Sequence, residues 1–210
     1  NSRPKGYFGF QFTELADGKL DVAAIGYFGP QQSVYAIGRE ANHDMEYIGD
    51  LLASYKINDK TTVTLNATYF HDDYLRDDVY GVTAYFAHDF SDELTFNARG
   101  EIFRDNNGGV VGNNTSPMSY VNELRGQNYP YDYAPGTTYG ELTVGVTYRP
   151  GFLKLPNGSF SIRPEVRLDK SLHGTRPFNR VSPPDDPNVN YTHNRTNTTF
   201  SFSCDALRPF

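Results

Sequence analysis

Apolar and polar residues alternate one by one along most of this chain. In LTFNARGEIF (94–103), Leu94, Phe96, Ala98, Gly100 and Ile102 fall on one face and Thr95, Asn97, Arg99 and Glu101 on the other. SFSIRPEVRLDKS sets Phe160, Ile162, Pro164, Val166 and Leu168 against Ser161, Arg163, Glu165, Arg167 and Asp169. ELTVGVTYR and TTVTLNATYF repeat the pattern, with Leu142, Val144 and Val146, then Val63, Leu65 and Ala67, on the apolar side. A period of two places successive side chains on opposite faces of a strand. No segment shows the 3.6-residue period of an amphipathic helix. The alternation predicts about nine strands, near 6–15, 20–29, 45–57, 61–72, 78–90, 94–105, 137–150, 159–171 and 197–210. Many of these run to about 10–14 residues, against the 5–6 usual in globular proteins.

The connections alternate too. ADGK (16–19), NDK (58–60), SDE (91–93) and the longer GFLKLPNG (151–158) are turn segments, and between them fall the links 30–43, 73–77, 106–136 and 170–195. The link at 73–77 is the one short member of the second set. Alternating short and long connections are what an antiparallel up-and-down barrel with unequal rims produces. The expected fold is therefore all-β, an up-and-down transmembrane barrel with short turns on the periplasmic side. On that orientation the last strand descends to the periplasm and, with nine strands, so does the first. Bacterial single-chain barrels have an even strand number, so residues 1–210 are expected to be the C-terminal portion of one larger barrel domain.

Composition narrows the choice. The chain is 38% hydrophobic and has no window near 18 apolar residues, which excludes an ordinary membrane-spanning helix but leaves spanning strands open. It carries 16 Tyr and 15 Phe with no Trp; such rings favour strands and also form the interfacial girdles of membrane barrels. A net charge of −6 without a basic cluster argues against nucleic acid as a partner. The single Cys204 forms no internal disulfide, and no Cys/His spacing marks a zinc site. The five histidines are scattered, and neither PPDDP (183–187) nor DNN (105–107) has an EF-hand frame. Nothing here calls for a metal, a cofactor or a catalytic residue.

Three segments are more specific: YGVTAYFAHDFSDELTFNARGEIFRDNNG (80–108), YGELTVGVTYRP (139–150) and IRPEVRLDKS (162–171). Together they resemble the OmpL-like β-barrel porin family over roughly residues 45–210. The resemblance implies a pore in the outer membrane of a Gram-negative bacterium that passes small hydrophilic solutes, with no catalytic machinery. TTFSFSCDALRPF (198–210) is an alternating last strand ending on Phe210, similar to the assembly signal by which the barrel-insertion machinery recognises its clients. Its RPF ending departs from the usual alternation.

If the apolar face meets lipid, Arg99, Glu101, Arg163, Glu165, Arg167 and Asp169 line the lumen. There they either bias ion passage or brace the wall as a salt-bridge lattice. Their signs balance, which argues against strong charge selectivity. The link 106–136, with Tyr120, Tyr129, Tyr131 and Tyr133, is either an external loop or a segment folded inward as a constriction. Cys204 falls on the lipid side with Phe200 and Phe202.

The leading expectation is a water-filled porin for passive diffusion. The alternatives are the barrel of a plugged active receptor-transporter and a soluble ligand-binding β-barrel. Expected partners are outer-membrane lipid, the assembly machinery and small hydrophilic solutes; association into a homo-oligomer is compatible with the sequence.

Overall fold

In the computed structural model, which describes residues 3–31, 41–74, 77–106, 136–153, 160–173, 178–179 and 195–207, the predicted alternation becomes one antiparallel sheet. Its strands are β1 (Gly6–Glu14), β2 (Leu20–Pro30), β3 (Met45–Asn58), β4 (Thr61–Asp72), β5 (Asp77–Asp89), β6 (Leu94–Asp105), β7 (Thr137–Tyr148) and β8 (Ser161–Ser171). Two-residue strands β9 (Phe178–Asn179) and β10 (Arg195–Thr196) pair as a separate ribbon, and β11 (Thr198–Leu207) completes the large sheet beside β8. The nine long strands follow chain order without a crossover, and the sheet is open, with no strand on the outer edges of β1 and β11 among the described residues.

Short turns close one rim. Between β1 and β2 the chain reverses at Leu15–Gly18, with Lys19 N donating to Leu15 O at 3.0 Å. Ala16, Asp17 and Gly18 take left-handed φ values of 50°, 58° and 79°. Asp and Gly tolerate that region, whereas the alanine Cβ crowds its own carbonyl. Between β3 and β4 the register shifts at Lys56/Asn58, and Asn58 Oδ1 accepts from Lys60 N at 2.9 Å.

Accessibility is inverted relative to a water-soluble sheet. Val82 is 55% exposed and the adjacent Thr83 7%; Leu142 is 52% exposed and Thr143 9%. The buried hydrophobic side chains among the described residues are Ala41, Val79 and Tyr139. A soluble domain hides its apolar face to gain about 25 cal/mol per Å², and exposed apolar patches beyond a few hundred Å² mark a surface meant for something other than water. Here the apolar face of the central strands β3–β7 is the more open one.

That face is banded. Tyr47, Tyr69 and Tyr80 lie toward the rim of the long links, with Tyr69 opposite Tyr80, while Tyr55, Phe86, Phe96 and Tyr148 lie toward the rim of the short turns. Tyr69 donates to Asp78 Oδ1 at 2.7 Å, and His71 contacts Asp78 at 2.9 Å and Asp73 at 3.0 Å, giving the upper band polar anchors. Between Tyr47 and Tyr55 the strand runs eight residues, about 27 Å, or about 20 Å in height at the tilt of a membrane barrel. The apolar belt of outer-membrane barrels is about 25 Å tall.

Candidate functional site

The polar face is built by register. Across β6, β7, β8 and β11, Arg99, Thr143, Arg167 and Ser201 form one row. Two residues along each strand, Glu101, Glu141, Asp169 and Thr199 form the next. On the other side of the arginine row lie Asn97, Gly145, Glu165 and Ser203. Because successive side chains on one face are two residues apart, carboxylates come to stand beside carboxylates and guanidinium groups beside hydroxyls. Directly opposed like charges repel; Arg99 and Arg167 therefore find their carboxylates diagonally and along the strand, while Arg163 and Glu165 bond the residues directly opposite them on β11, Asp205 and Ser203.

Arg99 Nε donates to Glu141 Oε2 at 2.9 Å. Arg167 donates to both oxygens of Asp169, Nε at 2.8 Å and Nη2 at 2.6 Å, the two-pronged geometry a planar guanidinium favours. Arg163 Nη2 reaches Asp205 Oδ2 at 3.0 Å, and Ser203 Oγ donates to Glu165 Oε1 at 3.0 Å. Thr143 Oγ1 donates to the second oxygen of Glu141. Glu101 takes no hydrogen bond from any described residue; it acts on Arg99 and Arg167 through space.

Farther round the sheet the same face is held by neutral donors. Asp50 accepts from Asn66 Nδ2 at 2.8 Å and Thr68 Oγ1 at 2.7 Å, Asp21 from the Glu14 amide at 2.9 Å, and Asp89 from Thr95 Oγ1 at 2.6 Å. A cavity of about 390 Å³ lies against this face, bounded by Thr62 and Thr64 of β4, Tyr85 of β5, Arg99 of β6 and Arg163 and Arg167 of β8. Strands of a flat sheet stand about 4.8 Å apart, so β4 and β8 share one cavity because the sheet curls about its polar side. A second hollow of about 320 Å³ is bounded by Glu101, Tyr139, Asp169 and Phe178. Phe178 of β9 meets the Tyr139 ring at a centroid distance of 6.5 Å, which brings the β9–β10 ribbon against the acidic row.

An all-β sheet that hides charge on its concave side and shows hydrocarbon on the other has the plan of a pore wall. The family model described as "Putative beta-barrel porin-2, OmpL-like" matches residues 1–206. The chain belongs to this family. No curated protein and no solved structure matches it. Membership points to a channel rather than an enzyme, and to a membrane location.

In this member of the OmpL-like family, the six charged residues singled out from the alternation share the polar face, and four of them, Arg99, Arg163, Arg167 and Asp169, are joined in ion pairs. Glu165 is held by a serine, and Glu101 takes no hydrogen bond from any described residue. Tyr120, Tyr129, Tyr131, Tyr133 and Phe210 lie outside the described residues. Cys204 is exposed on the apolar face, opposite Pro164. Sequence reasoning passed over Glu141, the partner of Arg99. Counting back two residues from Thr143 along β7 would have placed it on the polar side. It also passed over Asp21 and Asp50, each on the same face of its own strand. Among the described residues no cluster of His, Cys, Asp or Glu is arranged to hold a metal.

Proposed function

We propose that the chain forms wall of a water-filled channel in the bacterial outer membrane, through which small hydrophilic solutes diffuse passively. The observation that supports this reading is the inverted sheet: charged and hydroxyl side chains on the concave face, and a banded hydrocarbon face outward. Lipid would take the outward face at no desolvation cost, and water in the lumen would keep the inward charges hydrated. On this reading the ion pairs of β6–β8 and β11 brace the wall, most of all Arg99–Glu141, whose carboxylate is nearly buried, and least the exposed Arg163–Asp205.

Closure follows from strand direction. Nine strictly antiparallel strands leave β1 and β11 running the same way, so an antiparallel seam takes an odd number of further strands, which we place in the same chain. The finished barrel is then even-stranded and edge-free.

Reconstitution in a planar bilayer tests the function. Steady, ohmic, voltage-independent conductance is the expected result. A folded, inserted protein that stays silent, and conducts only after removal of an internal domain, would instead identify a plugged transporter. Partition of the protein into buffer as a monodisperse species without detergent would overturn the membrane reading altogether.

A further inference from the structure

The six charges read from the sequence balance, but the whole polar face does not. On β2–β5 the side chains with this orientation include Asp21, Glu46, Asp50, Asp72, Asp77 and Asp89, with Lys56 as the basic one. On β6–β8 and β11, Glu101, Asp105, Glu141, Glu165, Asp169 and Asp205 face Arg99, Arg163 and Arg167, with Arg149 just beyond β7. Asp72, Asp77 and Asp105 are buried at the rim of the long links and none is without a partner, so they are set aside.

The partners of the others decide the sign of the field. Each of Arg99, Arg163 and Arg167 is cancelled by a carboxylate within 3.0 Å. Asp21, Asp50, Asp89 and Glu165 are held by amides and hydroxyls, which stabilise a negative charge without cancelling it. Glu101 has no hydrogen-bond donor among the described residues. Within the strands the uncancelled cation on this face among the described residues is Lys56; Lys19, Lys60, Glu93 and Arg149 stand one residue outside strand ends at the rim of the short turns, Arg149 donating to Thr95 Oγ1 at 3.0 Å. The uncancelled anions therefore outnumber the uncancelled cations, and they come from five different strands.

We propose that the channel prefers cations, because carboxylates on its wall are held by neutral partners while its arginines are spent in ion pairs. This rests on the open-channel reading above. A lumen with low-dielectric walls focuses such a field and raises the local concentration of counter-ions. The field reaches about 10 Å into the lumen at 0.1 M salt and about 3 Å at 1 M. Selectivity produced this way fades with salt, whereas selection by pore width does not.

The test is the zero-current potential of the full-length protein in a planar bilayer under a KCl gradient, once with both sides near 0.1 M and once near 1 M. The expected permeability ratio of K⁺ to Cl⁻ is several-fold at low salt and falls toward one at high salt. Asp50→Asn with Glu101→Gln should lower the low-salt ratio, and the heat-dependent gel mobility of the folded barrel checks that the variant has assembled. A ratio of one or below at low salt overturns the proposal. So does an unchanged ratio in the assembled double variant, which would place the selectivity elsewhere. A folded protein with no conductance at all sinks the channel reading itself and the proposal with it.

Discussion

Arg99 reaches diagonally from β6 to Glu141 on β7, its Nε 2.9 Å from Oε2, although the residue directly opposite it is Thr143. The Glu141 side chain is 5% exposed and that of Arg99 29%. Glu141→Gln would keep the shape and leave Arg99 beside Arg167 without its counter-charge. Losing one member of a mostly buried, hydrogen-bonded pair costs about 1–3 kcal/mol here, at the modest end because Arg99 keeps some solvent. Urea unfolding of the detergent-solubilised barrel should show the midpoint falling for Glu141→Gln. Glu101→Gln, which breaks no hydrogen bond to a described residue, should leave it within about 0.5 kcal/mol. Equal effects of the two substitutions would mean that the pair does not brace the wall.

Val82 and Tyr85 sit on β5 only three residues apart but on opposite faces. An arginine at position 82, in the middle of the hydrocarbon belt, should cost about 2–4 kcal/mol. An arginine at 85, beside the cavity of the polar face, meets water and neighbouring carboxylates and should cost far less. Yield of folded, heat-modifiable protein in the membrane fraction separates the two. Comparable losses from both would mean that the faces have been assigned wrongly.

The strands were legible because alternation survives wherever one face meets lipid and the other meets water. β6 shows it from Leu94 to Ile102 and β8 from Ser161 to Asp169, and their predicted limits differ from the observed ones by at most two residues. β2 and β3 were legible as strands but not as faces. Ile25, Tyr27, Ile48 and Leu52 lie on the polar side by register, so apolar residues there alternate with small ones rather than with charges. Only the hydrogen-bonded ladder shows that Asp50 stands opposite Thr68 and shares a side with Glu101. Pairing across strands explains the rest of the shortfall. Arg163 and Asp205 are 42 residues apart, and a periodicity read along one strand carries no information about its neighbour's register. The balanced signs of the first six residues therefore described one part of the wall, not the whole of it.

Cys204 offers a probe of the same faces. It is the chain's sole cysteine, and it points to the apolar side between Phe202 and Ala206. A cysteine sulfur attacks a thiol-modifying reagent only where the reagent can reach it, and a charged, water-soluble reagent does not enter hydrocarbon. In proteoliposomes Cys204 should resist a water-soluble methanethiosulfonate, while Ser203→Cys in a Cys204→Ser background should be modified at least tenfold faster. Rapid labelling of the native cysteine would contradict the lipid-facing position of β11.

Two glycines separate a movable neighbour from a fixed one. At Gly26 the space a Cβ would need is filled by the far end of the Phe8 ring, on edge strand β1. At Gly145 the same atom would lie 2.7 Å from the carbonyl oxygen of Pro164 and 2.9 Å from Glu165 Cβ. A ring can swing away on its side-chain torsions, whereas a backbone carbonyl of β8 moves only if the strand itself shifts. Gly145→Ala should therefore destabilise the barrel by about 1–3 kcal/mol, and Gly26→Ala by about 1 kcal/mol or less. Adding Phe8→Leu to Gly26→Ala should recover part of the smaller loss, because it removes the ring that must move, while the same change should do nothing for Gly145→Ala. Urea midpoints of the four variants decide the matter, and a larger loss at Gly26 than at Gly145 would show that the Phe8 ring is not free to move aside.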